Sequence, residues 1–434
     1  MDETGGCVLE NGIKSTVALL KKGQPPGNAE TLLEISVGIN ALVDFISDHY
    51  FKEYIACGGS KIKFVTGKPG SGKTHLLQML SAAAGNQGFI TVHISAKDVW
   101  LHDFKEIYAE VIEQTNLMLC LEQCAAQVAA ELGHDYGSIP PGMKFVDYLS
   151  SIGELDALTK KEIRNQLRQM FIQNPMIDNN FAIACSLLTG CVLGHPTLEN
   201  TNITLLHSWL SGSKDVKIPA LRNLGMSPSK ITKFNARHML RSLLETLKMG
   251  GFPGIIVFID NMEMLISATS LDNVRYTKLR RDDVYESIRE LIDEIDTLKN
   301  IMFFFAFNRL LLDDESSGLK SYQALWMRMQ NEIVSSRFNK FTDFYDMDKY
   351  AESAYDIDVL AEMSERLAGV LNRAGIEAVP VDEDRIEELI LNAKYTAVSL
   401  PRQIVKATLD NTGSHFDAFD EADLKAVEDL YDRF

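Results

Sequence analysis

The chain has 434 residues, 46% of them apolar, with 43 Lys and Arg against 60 Asp and Glu and a formal net charge of −17. That apolar share supports a sizeable core, in two or three domains at this length, and excludes wholesale disorder. The acidic balance excludes a surface coated in non-specific nucleic-acid contacts, leaving nucleic acid to a local basic patch or to a partner.

The first residues, MDETGGCVLENG, lack the apolar stretch of a signal peptide, and no run is long enough to span a bilayer, so a cytoplasmic protein without a membrane role is expected. GIKSTVALLKKG predicts a helix that Gly23 ends, and GQPPG reads as a turn. In TLLEISVGINALVDFISDHYFKEYIA, Leu42, Phe45, Ile46 and Tyr50 recur at helical spacing. KIKFVTG (61–67) and GFITVHIS (88–95) read as buried strands, with an apolar-faced helix, THLLQMLSAAA, between them.

Residues 103–248 are mostly helical patterns, interrupted by loops such as GSIPPG and LGHPTLEN. Here Cys120 and Cys124 fall one turn apart; with no CxxC or flanking His they read as two buried thiols rather than metal ligands. The six cysteines overall suit a reducing compartment. GIIVFID (254–260) and IMFFFAFN (301–308) are further strands, the second preceded by the helix VYESIRELIDEIDTL. Beyond about 345 the chain turns helical again, in DIDVLAEMSERLAGVLNRAG and SLPRQIVKATLDNT. Strands separated by helices predict an α/β fold on a parallel sheet.

GKPGSGKT, from Gly67 through Lys68, Pro69, Gly70, Ser71, Gly72 and Lys73 to Thr74, fits G-x-x-x-x-G-K-[ST] between a strand and a helix. Glycines let such a loop turn its N–H groups around phosphate oxygens. Lys73 would reach the β- and γ-phosphates, Thr74 would bind Mg²⁺, and the helix N-terminus would face the same anion. Asp260, ending the next strongly apolar strand, would support Mg²⁺ opposite Thr74. It lies so far downstream of Lys73 that 103–248 reads as an insertion. Hydrolysis further requires a group that orients or deprotonates water. Asn261 can orient water but cannot take its proton; Glu263 can, and on an extended chain it would share a face with Asn261. Asn308 and Arg402 are candidate phosphate sensors, the latter in the first turn of a helix begun by Pro401. Arg328 or Arg337 would serve as an arginine finger in trans within a homo-oligomer. Arg275, Lys278, Arg280 and Arg281 make a cationic segment best read as solvated.

The order of these motifs resembles the AAA+ superfamily, in the branch of origin-recognition proteins and helicase loaders, with Val37 and Gly38 of VGINALVDFI at the adenine-pocket position. A closer resemblance is to P-loop ATP-binding proteins of BREX-type bacteriophage-exclusion systems and related defence islands. It is carried by LLKKGQPP, VGINAL, GGSKIKFVTGKPGSGKT, LHDFKEIYAEVIEQ, GFPGIIVFIDNMEML, RRDDVYESIRELIDEI and SLPRQIV, and spans roughly residues 15–410. The resemblance implies a P-loop NTPase, AAA+-like, with a parallel sheet, a large helical insertion and a C-terminal helical lid. Its segments would be 1–57 with the adenine pocket, 58–345 as the core, and 346–434 as the lid. It implies ATP and Mg²⁺ as cofactors and a helicase or other DNA-processing defence proteins as partners. The acidic motif of that family usually reads D-E-x-E; here it is Asp260-Asn261-Met262-Glu263, so the middle acid is missing. A slow or partner-stimulated ATPase switch is the first expectation. A non-hydrolysing nucleotide-dependent scaffold, or a signal-transducing ATPase acting on transcription or an effector, are the alternatives.

Overall fold

The computed structural model describes residues 18–267, 275–333 and 337–412. Its centre is a five-stranded sheet, all parallel, of β1 (Ser60–Gly67), β2 (Ile90–Ser95), β3 (Ile255–Asp260), β4 (Ile301–Asn308) and β5 (Phe344–Asp346), in the order β2-β3-β4-β1-β5. Parallel strands need crossovers and helices on both faces, so inner strands are buried twice; β3 and β4 read as nearly unbroken apolar runs, whereas β1 also buries Lys63. β4, IMFFFAFN, is buried at every residue. Phe303, Phe305 and Phe307 enter the core on one face of the sheet, while Met302, Phe304 and Ala306 enter the core on the other.

The first face is covered by the helical segment between β2 and β3, in which no described residue forms a strand. Helices Phe104–Gln114, Leu117–Glu131, Asn179–Leu193 and Ala236–Met249 pack together there, and Cys120, Cys124 and Cys185 are buried among them. On the second face lie the helix Lys73–Asn86 and an N-terminal helix, Asn40–Phe45, that continues over Ile46–Ile55 with a wider i→i+5 turn. The helices Ile357–Arg373, Glu383–Asn392 and Leu400–Asp410 form a further layer, where Leu20 packs with Leu367, Leu371 and Leu409.

Four strands fall within a residue or two of the sequence reading. The fifth, β5, was not anticipated: three residues on a sheet edge, paired with Phe64, Val65 and Thr66, are too few to show a pattern.

Candidate nucleotide site

The strand register brings one row of residues to the carboxyl edge of the sheet. Gly67 pairs with Asn308, and Ser95 pairs with Asp260. Open parallel sheets bind ligands at this edge, where loops leave the strands. The loop after β1 turns at Gly72, whose φ of 85° is left-handed and which starts the helix Lys73–Asn86 without a side-chain cap. The first N–H groups of that helix are thus left to the loop. Lys73 Nζ lies across the loop, donating to the carbonyls of Gly67 and Lys68 at 3.0 Å each.

The C-terminal layer holds this loop from outside. Lys68 Nζ donates to the Thr396 carbonyl at 2.9 Å, and the Ser399 N–H donates to the Pro69 carbonyl at 3.1 Å. Gly70 sits so close to Arg402 that a Cβ there would lie 2.3 Å from Arg402 Cβ.

Thr74 Oγ1 donates to Asp260 Oδ2 at 2.6 Å, across 186 residues of sequence. The other carboxylate oxygen of Asp260 accepts the Asn261 N–H at 2.7 Å. Asn261 takes a left-handed backbone, φ 60°, and Met262–Leu265 form a single tight turn after it. The extended geometry that would set Asn261 and Glu263 on one face is therefore absent. The Asn261 amide turns toward Ser95 Oγ at 3.4 Å, whereas Glu263 Oε2 accepts the Asn308 N–H at 3.1 Å. Desolvation raises the Glu263 carboxyl pKa; the Lys73 ammonium opposes this and Asp260 adds to it, which sets all three groups in one electrostatic neighbourhood.

Asn308 is buried and caps the helix Arg309–Asp313, its Oδ1 accepting the Leu310 N–H at 3.3 Å. Arg402 is also buried, and its guanidinium donates to the Leu20 and Lys21 carbonyls at 3.1 and 3.4 Å, over Gly23. Its head group thus serves the N-terminal segment here. Arg328 makes a two-pronged pair with Asp293 of its own chain, at 2.6 and 2.7 Å, and Arg337 is exposed. Within the cationic segment, Arg280 is not simply solvated: it stacks on Trp100, 4.3 Å from the ring centroid.

Beside the loop lies a cavity of about 170 Å³, lined by Val37, Ile39, Tyr355 and Met363 together with Gly72, Lys73 and Thr74. The neighbouring Gly38 carbonyl accepts the Tyr350 hydroxyl. His75 also faces this cavity, with Nε2 2.7 Å from Ser36 Oγ. Burial lowers its pKa to about 4, so the ring is neutral at pH 7. Because Ser36 gives its proton to the Leu32 carbonyl at 2.6 Å, the network assigns the His75 proton to Nε2. Ser36, His75, Tyr355, Arg309, Asp346 and Asp348 at this site were not foreseen. The one available signal was the acid pair in FYDMDKY, next to the strand that went unrecognised.

A family model described as BREX system ATP-binding protein BrxC/D matches residues 13–427. The chain belongs to that family. No curated protein and no solved structure matches it. As a BREX system ATP-binding protein it has ATP as its nucleotide and other defence-system proteins as its partners in phage defence. Among the described residues, no helix is long and apolar enough to cross a membrane.

Proposed function

We propose that this BREX protein is a P-loop NTPase of AAA+-like architecture that works as a slow or partner-stimulated ATPase switch. Its partners would be DNA-processing proteins of the defence system, a helicase foremost, with nucleic acid engaged directly or through them. The segments 1–57, 58–345 and 346–434 would be the entry region, the ATPase core and the lid. The observation that carries this reading is the 2.6 Å contact of Thr74 with Asp260, which joins the loop after β1 to the end of β3. The placement of β4 between those two strands supports it, because the candidate sensor Asn308 then stands between loop and acid.

Lys73 and the loop N–H groups would hold the phosphates, and Val37 and Gly38 would border the base. Thr74 and Asp260 fit Mg²⁺: two oxygen donors meet there, and among the described residues no cluster of three or more His, Cys, Asp or Glu gathers to hold a metal alone. Mg²⁺ commonly takes one or two protein oxygens plus phosphates and water, and when bound it neutralises charge on the transferring phosphoryl group. Glu263 would orient or deprotonate water, and Arg402 would sense phosphate after letting go of Leu20 and Lys21. An arginine in trans, Arg328 or Arg337, applies only in a homo-oligomer, and Arg328 would first have to leave Asp293.

The binding claim is tested by titrating ATP with Mg²⁺ into the parent, Lys73→Ala and Asp260→Ala. Lys73→Ala is expected to lose most affinity, and Asp260→Ala to lose the Mg²⁺ dependence. Parent-like ATP binding by Lys73→Ala would refute the site. One observation favours the scaffold reading over the switch: the Glu263 carboxylate already accepts the Asn308 N–H, and Asn261 takes no proton. Absence of phosphate release, alone or with DNA and partner proteins, would decide for the scaffold.

A further inference from the structure

The phosphate loop is also tied to the far edge of the sheet. Asp348 Oδ2 accepts the main-chain N–H of Lys68 at 2.9 Å. Asp348 belongs to the helix Met347–Ala354, which leaves β5 directly. That helix is capped by another residue: Asp346 Oδ1 accepts the N–H groups of Asp348 and Lys349 at 3.1 and 3.3 Å. The Asp348 carboxylate is therefore not needed as a cap and is turned to the loop instead. Arg309 closes the group, with Nη1 3.0 Å from Asp346 Oδ2 and 3.9 Å from Asp348 Oδ2. Arg309 follows Asn308, whose N–H is bound by Glu263. Two consecutive residues at the end of β4 thus reach the candidate water-orienting acid on one side and the loop's support on the other.

We infer that Asp348 is a positioning residue for the phosphate loop, acting through the Lys68 N–H, and that Arg309 braces it through Asp346. This rests on the ATP reading above and deepens it. A loop binds phosphate through several N–H groups that turn inward together, and affinity gains when its peptide planes are fixed before the ligand arrives. Asp348 fixes the plane at the loop's entry by holding the Lys68 N–H outward. Without the acceptor, that partly buried N–H is unpaired and the plane is released. The cost of such a lost acceptor corresponds to about a tenfold change in affinity.

The test is calorimetric titration of the full chain with ATP plus Mg²⁺ and, separately, with adenosine, which lacks the phosphates. Asp348→Ala is expected to bind ATP about tenfold more weakly and adenosine within about twofold of the parent. Asp348→Asn keeps an accepting oxygen and is expected to restore most of the ATP affinity. Amide exchange gives a second readout: the Lys68 N–H of nucleotide-free parent should exchange slowly, and that of Asp348→Ala quickly, with β1 itself unchanged. The inference is overturned if Asp348→Ala keeps parent-like ATP affinity, or loses adenosine in step with ATP. Should Asp348→Ala not fold, fast exchange at Lys68 in the parent overturns it equally. A parent that holds ATP no tighter than adenosine is a different result, the failure of the phosphate-site reading itself.

Discussion

Asn261→Glu restores the acid that the motif lacks, and the backbone at this position leads us to expect no gain in hydrolysis from it. Asn261 has φ 60°, and it is one of two non-glycine residues with positive φ among those described. Asn visits this region readily, because its short polar side chain bonds locally; for most L-residues the region costs roughly 1–2 kcal/mol. Glu would carry most of that cost and lose the 3.4 Å contact to Ser95, itself worth little. Asn261→Glu should therefore lower unfolding stability by about 1 kcal/mol, whereas Asn261→Gly should not. The side chain at 261 turns toward Ser95 at the end of β2, so the new carboxylate would face Ser95. Single-turnover hydrolysis should stay within about threefold of the parent, a change of well under 1 kcal/mol in the barrier. Urea unfolding read by fluorescence and rapid-quench phosphate release measure the two effects. Asn261→Glu hydrolysing more than tenfold faster, with stability equal to Asn261→Gly, would show both the backbone and the side-chain arguments to be wrong.

Glu263→Gln keeps an oxygen for the Asn308 N–H but cannot take a proton; turnover should drop on the order of 10²-fold or more with ATP affinity nearly unchanged, and unaltered turnover removes Glu263 from the chemistry. Arg402→Ala leaves the Leu20 and Lys21 carbonyls without their cation; trypsin should then cut after Lys21 or Lys22 markedly faster, and a parent-like digestion pattern would separate Arg402 from the N-terminal segment. His75 has a folded pKa lowered to about 4, below its unfolded value of 6.5, so the unfolded chain binds the proton first and stability is lost as pH falls from about 6.5 toward 4. This one group contributes at most ~1.4 kcal/mol per pH unit, and urea unfolding of His75→Gln at pH 7 and pH 5 should show a shallower decline than the parent.

The parts of this architecture that were legible are those where one residue type answers to one environment. β3 and β4 announce themselves because burial on both faces demands an unbroken apolar run, and the phosphate loop because left-handed turns demand glycine. The illegible parts depend on neighbours that only the fold supplies. Nothing near Asp348 in the sequence shows that the Lys68 N–H will lie 2.9 Å away. The text FIDNME shows an Asn where an acid is usual, but not the left-handed backbone that sends residues 261 and 263 to different partners. Arg402 stands in the expected helix turn, yet the end its side chain serves is set by a segment nearly four hundred residues earlier.

The strand order also carries a history of assembly. β1 is made early, but its two neighbours are β4 and β5, so Ser60 waits for Ile301 and Phe64 for Phe344. Contacts this distant are slow to form, and chains of this size fold through intermediates. While the chain is being synthesised, the helices between Phe104 and Met249 can pack among themselves before β3 exists. The phosphate loop, by contrast, hangs from a strand with both edges open until the chain has left the ribosome as far as Asn308, about seven tenths of the 434 residues. A nascent or truncated chain ending before β4 would thus present an unpaired apolar strand and no place for ATP, a species for chaperones to shield rather than a partly working switch.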